Sequence, residues 1–204
     1  MKKISRQNHK IDLRIESLTD LVFGLALSIG ALLLASSSVT TPSAFIGNIL
    51  SYAFGFSILL FVWFRYTFIE SALKFTTRSI MILNIILLFF VSIEPYLFNI
   101  LKSPSINDAI FNTSSAIYAF DMGSIMIILG ILTYIVIKQK VITKKLNHYK
   151  QQILASFIIG AIFFISILPF FWSFEIYNIK GRFFIWLVSF PIIYIIFRIS
   201  NTRR

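Results

Sequence analysis

Six long apolar segments alternate with short polar segments along the chain. The apolar segments occupy residues 18–35, 45–64, 80–101, 115–137, 153–174 and 183–199. A helix needs about 20 apolar residues to cross the hydrocarbon core of a bilayer, whereas a barrel strand is shorter and alternates polar with apolar positions. The pattern therefore predicts an all-α integral membrane protein with six transmembrane helices. We expect the second helix to extend through residues 66–69, because an arginine near a helix end, here Arg65, can reach the interface.

Composition agrees with a membrane protein and excludes several kinds of site. Hydrophobic residues make up 57% of the chain and charged residues 13%, whereas soluble domains are about half apolar and about a quarter charged. The mean hydropathy is +0.84. The absence of cysteine excludes disulfides, iron–sulfur clusters and thiolate zinc sites. His9 and His148 lie in polar segments near lysines, which is typical of surface histidines, so we expect no metal site and no cofactor.

The distribution of basic residues predicts the orientation in the membrane. All but three of the 19 basic residues lie before the first apolar segment, after the second or fourth, or near the C-terminus. The exceptions are Lys102, Lys180 and Arg182. Because positive charge marks the cytoplasmic side, both termini are expected to be cytoplasmic, which requires an even number of helices. A net charge of +11 would suggest nucleic acid in a soluble protein, but topology explains it here, and no nucleic-acid partner is expected.

The chain is predicted to form one membrane domain over residues 1–204. Residues 1–17 would form a cytoplasmic segment, residues 18–199 the transmembrane region and residues 200–204 a cytoplasmic tail. An alternative is that the basic lead-in, the first apolar segment and the sequence Leu34-Ala35-Ser36-Ser37 form a signal peptide. Cleavage would leave five helices and contradict the charge distribution, so the spanning interpretation is preferred.

The sequence lacks the motifs of several functional classes. There is no His-Glu-x-x-His, no Gly-x-Ser-x-Gly and no carboxylate cluster, so an enzyme is not expected. There is also no Walker A loop, no Thr-Val-Gly-Tyr-Gly filter and no arginine-rich span of a voltage sensor. Pro95, Pro169 and Pro191 interrupt apolar segments without a matched glycine-rich break, so discontinuous transporter helices are not indicated.

Two acidic residues lie towards the predicted outer ends of apolar segments. They are Glu94, followed by Pro95, and Asp121. A charged carboxylate is costly within a bilayer and often marks a functional site. One hypothesis is that both residues form an outer acidic mouth that concentrates cations. The simpler interpretation, which we prefer, is that they pair with Lys102, Lys180 or Arg182 or face outer water.

The first apolar segment begins with polar residues, which we call the foot of the helix, and continues with two stripes of side chains. Asp20 opens the segment six residues after Arg14, and it can interact with the positive end of the helix dipole. Small residues follow a 4-3-4 spacing at Gly24, Ser28, Ala31 and Ala35. Larger aliphatic residues follow a 4-3 spacing at Leu25, Ile29 and Leu32. Two stripes on one helix indicate contacts with two neighbours, either within one subunit or around a symmetry axis.

This opening stretch resembles the first-helix signature of prokaryotic relatives of the lysosomal potassium channel, the transmembrane protein 175 family. That signature has an arginine, then Phe-Ser-Asp, then Gly-Val-Phe-Ala-Ile-Ala. The chain has Arg14, then Leu18-Thr19-Asp20, then Leu21-Val22-Phe23-Gly24-Leu25-Ala26. Further points of likeness are the length, the six predicted helices, and the positions of Trp63, Asn84 and Pro95. The family often carries histidines after the tryptophan, where this chain has Tyr66.

The resemblance implies a homotetrameric potassium-permeable cation channel in a prokaryotic plasma membrane. The first helix of each subunit would line the pore, with aliphatic rings at Leu25, Ile29 and Leu32 as constriction and gate. Ser28 would contribute to a modest preference for potassium over sodium. The resemblance assigns Arg14, Thr19 and Asp20 to a structural motif at the foot of the pore helix. Other monovalent cations are expected to permeate, and the basic segments to contact anionic lipid headgroups.

Two other functional classes remain open on the sequence alone. One is a proton- or ion-coupled secondary transporter that titrates Asp20, Glu94 or Asp121. A transporter of this kind would show ion flux that saturates with substrate concentration and is coupled to an ion gradient. The other is a membrane scaffold that transports nothing, which would give no flux from purified protein in liposomes.

Overall fold

The computed structural model contains long helices and a very short strand pair. It describes residues 2–36, 41–73, 77–101, 107–139, 146–173, 175–176 and 179–187. The long helices are α1 (Lys2–Ala35), α2 (Pro42–Glu70), α3 (Arg78–Leu101), α4 (Asp108–Lys138) and α5 (Leu146–Ile165). A short helix α6 (Phe170–Ser173) and the antiparallel strands β1 (Glu175–Ile176) and β2 (Ile179–Lys180) follow. Residues 181–187 are again helical.

The helices confirm an all-helical membrane architecture. Among the described residues, five helices are long and apolar enough to span a bilayer, and they are α1 from Leu13 together with α2 to α5. The predicted extension of the second helix through residues 66–69 is confirmed, because α2 ends at Glu70. Of the predicted sixth helix, residues 183–187 are described as helix, and residues 188–199 lie outside the described part of the chain.

The predicted start of the first helix and the predicted end of the fifth span differ from the observed ones. The helix α1 begins at Lys2, so the segment before residue 18 continues the first membrane helix. The predicted fifth span over residues 153–174 is wrong at its end, because α5 stops at Ile165 and α6 begins at Phe170. Pro169 explains the break, since proline has no amide hydrogen and disfavours helical geometry in the residue before it. Pro95, by contrast, lies inside the continuous helix α3.

The chain divides into two compact units, residues Met1–Asn107 and residues Asp108–Arg204. In the first unit α1 packs against α2 and α3. Its α2 begins at a regular N-cap, where Thr41 Oγ1 accepts a hydrogen bond from the Ala44 amide at 3.2 Å and Pro42 occupies the first turn. Only 17% of the apolar span of α1 is buried, and the same holds for α2. Much of the surface of both helices is therefore not covered within the chain.

In the second unit α4 and α5 pack closely along glycines. A Cβ atom on Gly160 would lie 2.7 Å from Ile127 Cγ1 and 3.2 Å from the Gly123 carbonyl oxygen. A Cβ atom on Gly130 would lie 3.1 Å from Ser156 Cβ. Small residues let helix backbones approach in lipid, where packing rather than the hydrophobic effect drives association. The pairing of α4 with α5 therefore depends on the absence of side chains at these positions.

A buried arginine holds together the segment that follows α5. Arg182 is 2% exposed. Its Nε donates to the Ser166 carbonyl oxygen at 2.9 Å, and its Nη1 donates to the Asn112 carbonyl oxygen at 3.1 Å and to Ser115 Oγ. Trp186 Nε1 donates to Ser166 Oγ at 2.9 Å. These bonds tie the turn after α5 to the start of α4, so the break at Pro169 is an ordered part of the fold.

A leucine at Gly160 should separate α4 from α5. We expect Gly160→Leu to lower the free energy of unfolding by about 1–3 kcal/mol, the range found for overpacked cores. The measurement is thermal unfolding of the purified protein in detergent, followed by circular dichroism. Gly47→Leu is the control, because nothing lies within 4 Å of a Cβ atom built there. Equal stability of the two variants would show that α4 and α5 do not need the close contact.

Candidate functional site: the first helix and its anchor

The helix α1 has one buried face and one exposed face. Phe23 and Ala26 are each 1% exposed, and Thr19 is fully buried. On the other side Leu25 is 54% exposed and Leu32 is 67% exposed. The exposed stripe, as we call it, consists of Leu21, Leu25, Ser28 and Leu32, which share a face because they are spaced by three or four residues. The chain thus holds one face of α1 within its own unit and leaves the exposed stripe uncovered.

The residues expected at the constriction do not all share this exposure. Leu25 and Leu32 lie on the exposed stripe, whereas Ile29 is half-buried. Ser28 is exposed, and its Oγ donates to the Gly24 carbonyl oxygen at 2.8 Å. Because that bond uses the hydroxyl hydrogen, the oxygen of Ser28 can act only as an acceptor towards another group. A cation is bound by acceptors, so this arrangement is chemically suited to contact with a cation.

Asp20 is anchored to the neighbouring helix α2. Its side chain is exposed, and its Oδ1 accepts a hydrogen bond from Trp63 Nε1 at 3.3 Å. Arg14 is also exposed, and among the described residues no salt bridge joins Arg14 to Asp20. The structure therefore brings Asp20 to Trp63 and does not pair it with Arg14. The bond connects the foot of α1 with the final two turns of α2.

Beneath Asp20, a buried chain of hydrogen bonds joins all three helices of the first unit. Thr19 Oγ1 donates to the Ile15 carbonyl oxygen at 2.9 Å and accepts from Asn84 Nδ2 at 3.4 Å. Tyr66 Oη lies 3.4 Å from Thr19 Oγ1 and donates to Glu70 Oε1 at 3.1 Å. We call Thr19, Tyr66, Glu70 and Asn84 the foot network. It ties α1 to α2 through Tyr66 and to α3 through Asn84.

Sequence reasoning missed the roles of Tyr66 and Glu70. Tyr66 is fully buried, and its ring packs on Phe23 with a centroid distance of 6.0 Å. Glu70 is buried at the last residue of α2. The available signal was the spacing of four residues, which places both side chains on one face of a helix beyond the end of the apolar segment. That signal gives the shared face, but it does not identify Thr19 as the partner of Tyr66 on α1.

Glu94 and Asp121 are both buried in their own units. Glu94 is 1% exposed and lines a cavity among α1, α2 and α3, and Asp121 is 2% exposed on α4. The outer acidic mouth considered for these two residues stays a hypothesis. Among the expected basic partners, Lys180 Nζ lies 3.8 Å from Asp108 Oδ1, and Lys102 lies outside the described residues.

The foot network should contribute to stability through the Tyr66 hydroxyl. We expect Tyr66→Phe to lower the free energy of unfolding by about 1–3 kcal/mol, because the ring is kept while the buried carboxyl of Glu70 loses its hydrogen-bond donor. Thermal unfolding in detergent measures the change. Tyr96→Phe is the control, because Tyr96 is 57% exposed. A stability loss of the same size in both variants would show that the foot network contributes nothing specific.

Asp20 and Trp63 should act as a pair. We expect Asp20→Ala and Trp63→Phe each to destabilise the protein by about 0.5–1.5 kcal/mol, the net value of one hydrogen bond, with no further loss in the double variant. Asp20→Asn keeps an acceptor oxygen and should retain stability. Unfolding midpoints of the wild type and these four variants test this. If Asp20→Ala changed only the preference between potassium and sodium and left stability intact, Asp20 would be an ion ligand and not an anchor.

Comparisons with known proteins relate the chain to channel structures. The fold matches the crystal structure of a TMEM175 homologue, described as a lysosomal potassium-selective channel homologue, from Chamaesiphon minutus. The TM-score is 0.66 at 17% identity, over 94% of this chain and 99% of that chain. It also matches a single-site variant of the potassium channel MtTMEM175 in complex with a nanobody–MBP fusion, with a TM-score of 0.63 at 17% identity, over 93% of each chain. A search of curated proteins found no match.

The sequence itself matches a family model over the part of the chain that contains the anchor. Residues 14–95 match the family described as the endosomal/lysosomal potassium channel TMEM175. This range begins at Arg14 and includes the exposed stripe, Trp63 and the whole foot network. The resemblance proposed from the sequence is therefore confirmed: residues 14–95 match the TMEM175 family, and the fold of the chain is similar to that of TMEM175 channel structures.

Proposed function

We propose that the protein is a potassium-permeable cation channel, a homotetramer in which four copies of α1 line the pore. The observation that supports this most directly is the exposed stripe on an otherwise anchored helix. Leu25 and Leu32 are more than half exposed, although the opposite face of the same helix is buried. A helix that lines a shared axis leaves such a face uncovered in a single chain. The matched potassium channels share the fold.

In this proposal Leu25 and Leu32 form the gate. Four leucine side chains around an axis form an apolar ring, and water leaves a sufficiently narrow apolar ring, so ions cannot pass. Opening requires the helices to move apart or to rotate the leucines away. Ile29 is half-buried and therefore contributes to the ring less directly than its neighbours, unless α1 rotates.

Selectivity in such a pore is modest and depends on Ser28. Leucine side chains cannot replace the hydration shell of an ion, so the apolar rings do not distinguish potassium from sodium by coordination. Ser28 lies one turn from Leu25 and supplies one acceptor oxygen per subunit. Four such oxygens can replace part of the hydration shell. Potassium loses its water more readily than sodium, so potassium is preferred and other monovalent cations are permitted.

The foot of α1 serves as the fixed point of this pore helix. The foot network and the bond from Trp63 to Asp20 hold the first turns of the membrane segment. The exposed stripe begins directly beyond this anchor. A helix held at one end and free of polar bonds on its exposed face can tilt or rotate about the held end. The proposed gate therefore lies on the part of α1 that is free to move.

We place the protein in a prokaryotic plasma membrane with both termini cytoplasmic. The charge distribution supports this orientation, and the basic segments would contact anionic lipid headgroups. The buried carboxyl groups of Glu94 and Asp121 give the coupled-transporter alternative its physical basis, because such groups carry protons in pumps and transporters. Flux that saturates and follows a proton gradient would favour that alternative.

Truncation of the proposed gate should raise ion flux. We expect Leu25→Ala to increase potassium flux into liposomes reconstituted with purified protein, because a wider ring is wetted more easily. Leu50→Ala is the control, since Leu50 is 65% exposed but lies on α2. Potassium and sodium flux are measured side by side for both variants and the wild type.

Three other outcomes would change the proposal. Flux in all three proteins with no effect of Leu25→Ala would move the gate to Leu32. An equal increase in Leu50→Ala would show that truncation loosens the protein in general. No flux from a folded tetrameric protein, wild type or variant, would contradict the channel and favour the scaffold alternative.

A further inference from the structure

A small cavity lies behind the first helix, among α1, α2 and α3. Its volume is about 30 Å³, and its walls combine one buried carboxyl group with aromatic rings and an amide. Glu94 supplies the carboxyl group and Asn99 the amide, both from α3. Tyr52 and Phe56 from α2 and Phe98 from α3 supply the rings. Within the described part of the chain, no lysine, arginine or histidine lines the cavity.

Two glycines lie against the aromatic rings of this cavity, and one of them is needed for a close approach. A Cβ atom on Gly55 would lie 2.9 Å from Phe98 Cδ1, which is closer than real side-chain contacts allow. A Cβ atom on Gly30 would lie 3.4 Å from Tyr52 Cε2. The rings of Tyr52 and Phe56 are neighbours, with centroids 5.8 Å apart. The position of the Phe98 ring therefore depends on the absence of a side chain at Gly55, whereas a Cβ atom at Gly30 would make an ordinary contact with Tyr52.

The lining is suited to a small organic cation. Ammonium ions bind against the faces of aromatic rings, and the attraction grows when the site is shielded from water. A carboxylate attracts an ammonium ion more strongly in a low-dielectric cavity than in water. Glu94 is 1% exposed, so its carboxyl group lies in such surroundings. The amide of Asn99 adds an acceptor oxygen for an N–H group.

The volume limits the size of the ligand. A cavity needs at least about 10–15 Å³ to hold one water molecule, so a cavity of about 30 Å³ has room for roughly two heavy atoms. Methylammonium has two heavy atoms and three N–H donors. Tetramethylammonium has five heavy atoms and no donor. We propose that this cavity binds a small primary ammonium ion, with Glu94 and Asn99 accepting its N–H hydrogen bonds between the aromatic walls.

The cavity also touches the proposed pore helix. Leu27, Gly30 and Leu33 of α1 form one wall, on a different face of the helix from Leu25 and Ser28. A ligand in the cavity would therefore contact α1 from behind and restrict its tilt or rotation. This effect on flux rests on the proposed channel function. Binding of the ion does not depend on that function.

The test measures binding of methylammonium to the full-length purified protein in lipid nanodiscs. Saturation-transfer NMR on the methyl protons gives the apparent affinity. We expect saturable binding to the wild type, and none of tetramethylammonium at the same concentrations. Glu94→Gln should weaken methylammonium binding about tenfold, the factor for one lost charge-assisted hydrogen bond. Asp108→Asn is the control, because it removes one exposed acidic charge outside the cavity.

A second variant covers the case in which Glu94→Gln does not fold. Phe56→Leu keeps an apolar wall and should weaken binding about two- to fivefold, the range of one cation–π contact. Unchanged affinity in the folded variants would overturn the proposal, and so would equal weakening in Asp108→Asn. If potassium displaced methylammonium at equal concentration, the proposed preference of the cavity for an ammonium ion over potassium would be wrong. Binding without any flux from the protein would contradict the channel and leave the cavity site intact.

Discussion

A polar group inside a bilayer must find its hydrogen-bond partner within the protein, because hydrocarbon offers none. The foot network is where this constraint shapes the first unit. Thr19, Tyr66 and Asn84 come from three different helices and meet in one buried place. Helices brought together in this way are fixed at the level of the foot network, both in position and in the face that each turns towards its neighbours. The rotation of α1 decides which of its residues are buried and which remain on the exposed stripe, so the proposed pore depends on this anchor.

The helices of the two units are held together in different ways. In the first unit, polar side chains connect the helices, and much of α1 and α2 stays uncovered. In the second unit, 61% of the apolar span of α4 is buried, and Gly123, Gly130 and Gly160 bring α4 and α5 together. Close packing of this kind resists movement. The two units therefore differ in how closely their own helices are packed.

The carboxyl groups of Glu94 and Glu70 are both buried, and burial determines which groups surround them. Glu94 faces a cavity behind α1, where a carboxyl group among aromatic rings has the chemistry of a cation site. Glu70 accepts a hydrogen bond from Tyr66 and completes the foot network. Both carboxyl groups lie near α1, on the side of that helix that faces away from the exposed stripe. The buried polar groups of the first unit are therefore concentrated on the covered side of α1, whereas the exposed stripe is apolar except for Ser28.

The sequence by itself determined where the chain crosses the membrane and which stretch of the first helix carries the family signature. Hydropathy depends on local composition, so α3, the extension of α2 and the C-terminal end of α4 followed from it closely, whereas α4 begins seven residues before the predicted start at residue 115. Tertiary structure alone decided the partner of Asp20, the burial of Glu94 and the position of Ile29 off the exposed stripe. It also decided the glycine contacts between α4 and α5. Spacing along a helix shows which residues share a face, but the neighbour that this face meets depends on how whole helices rotate and pack.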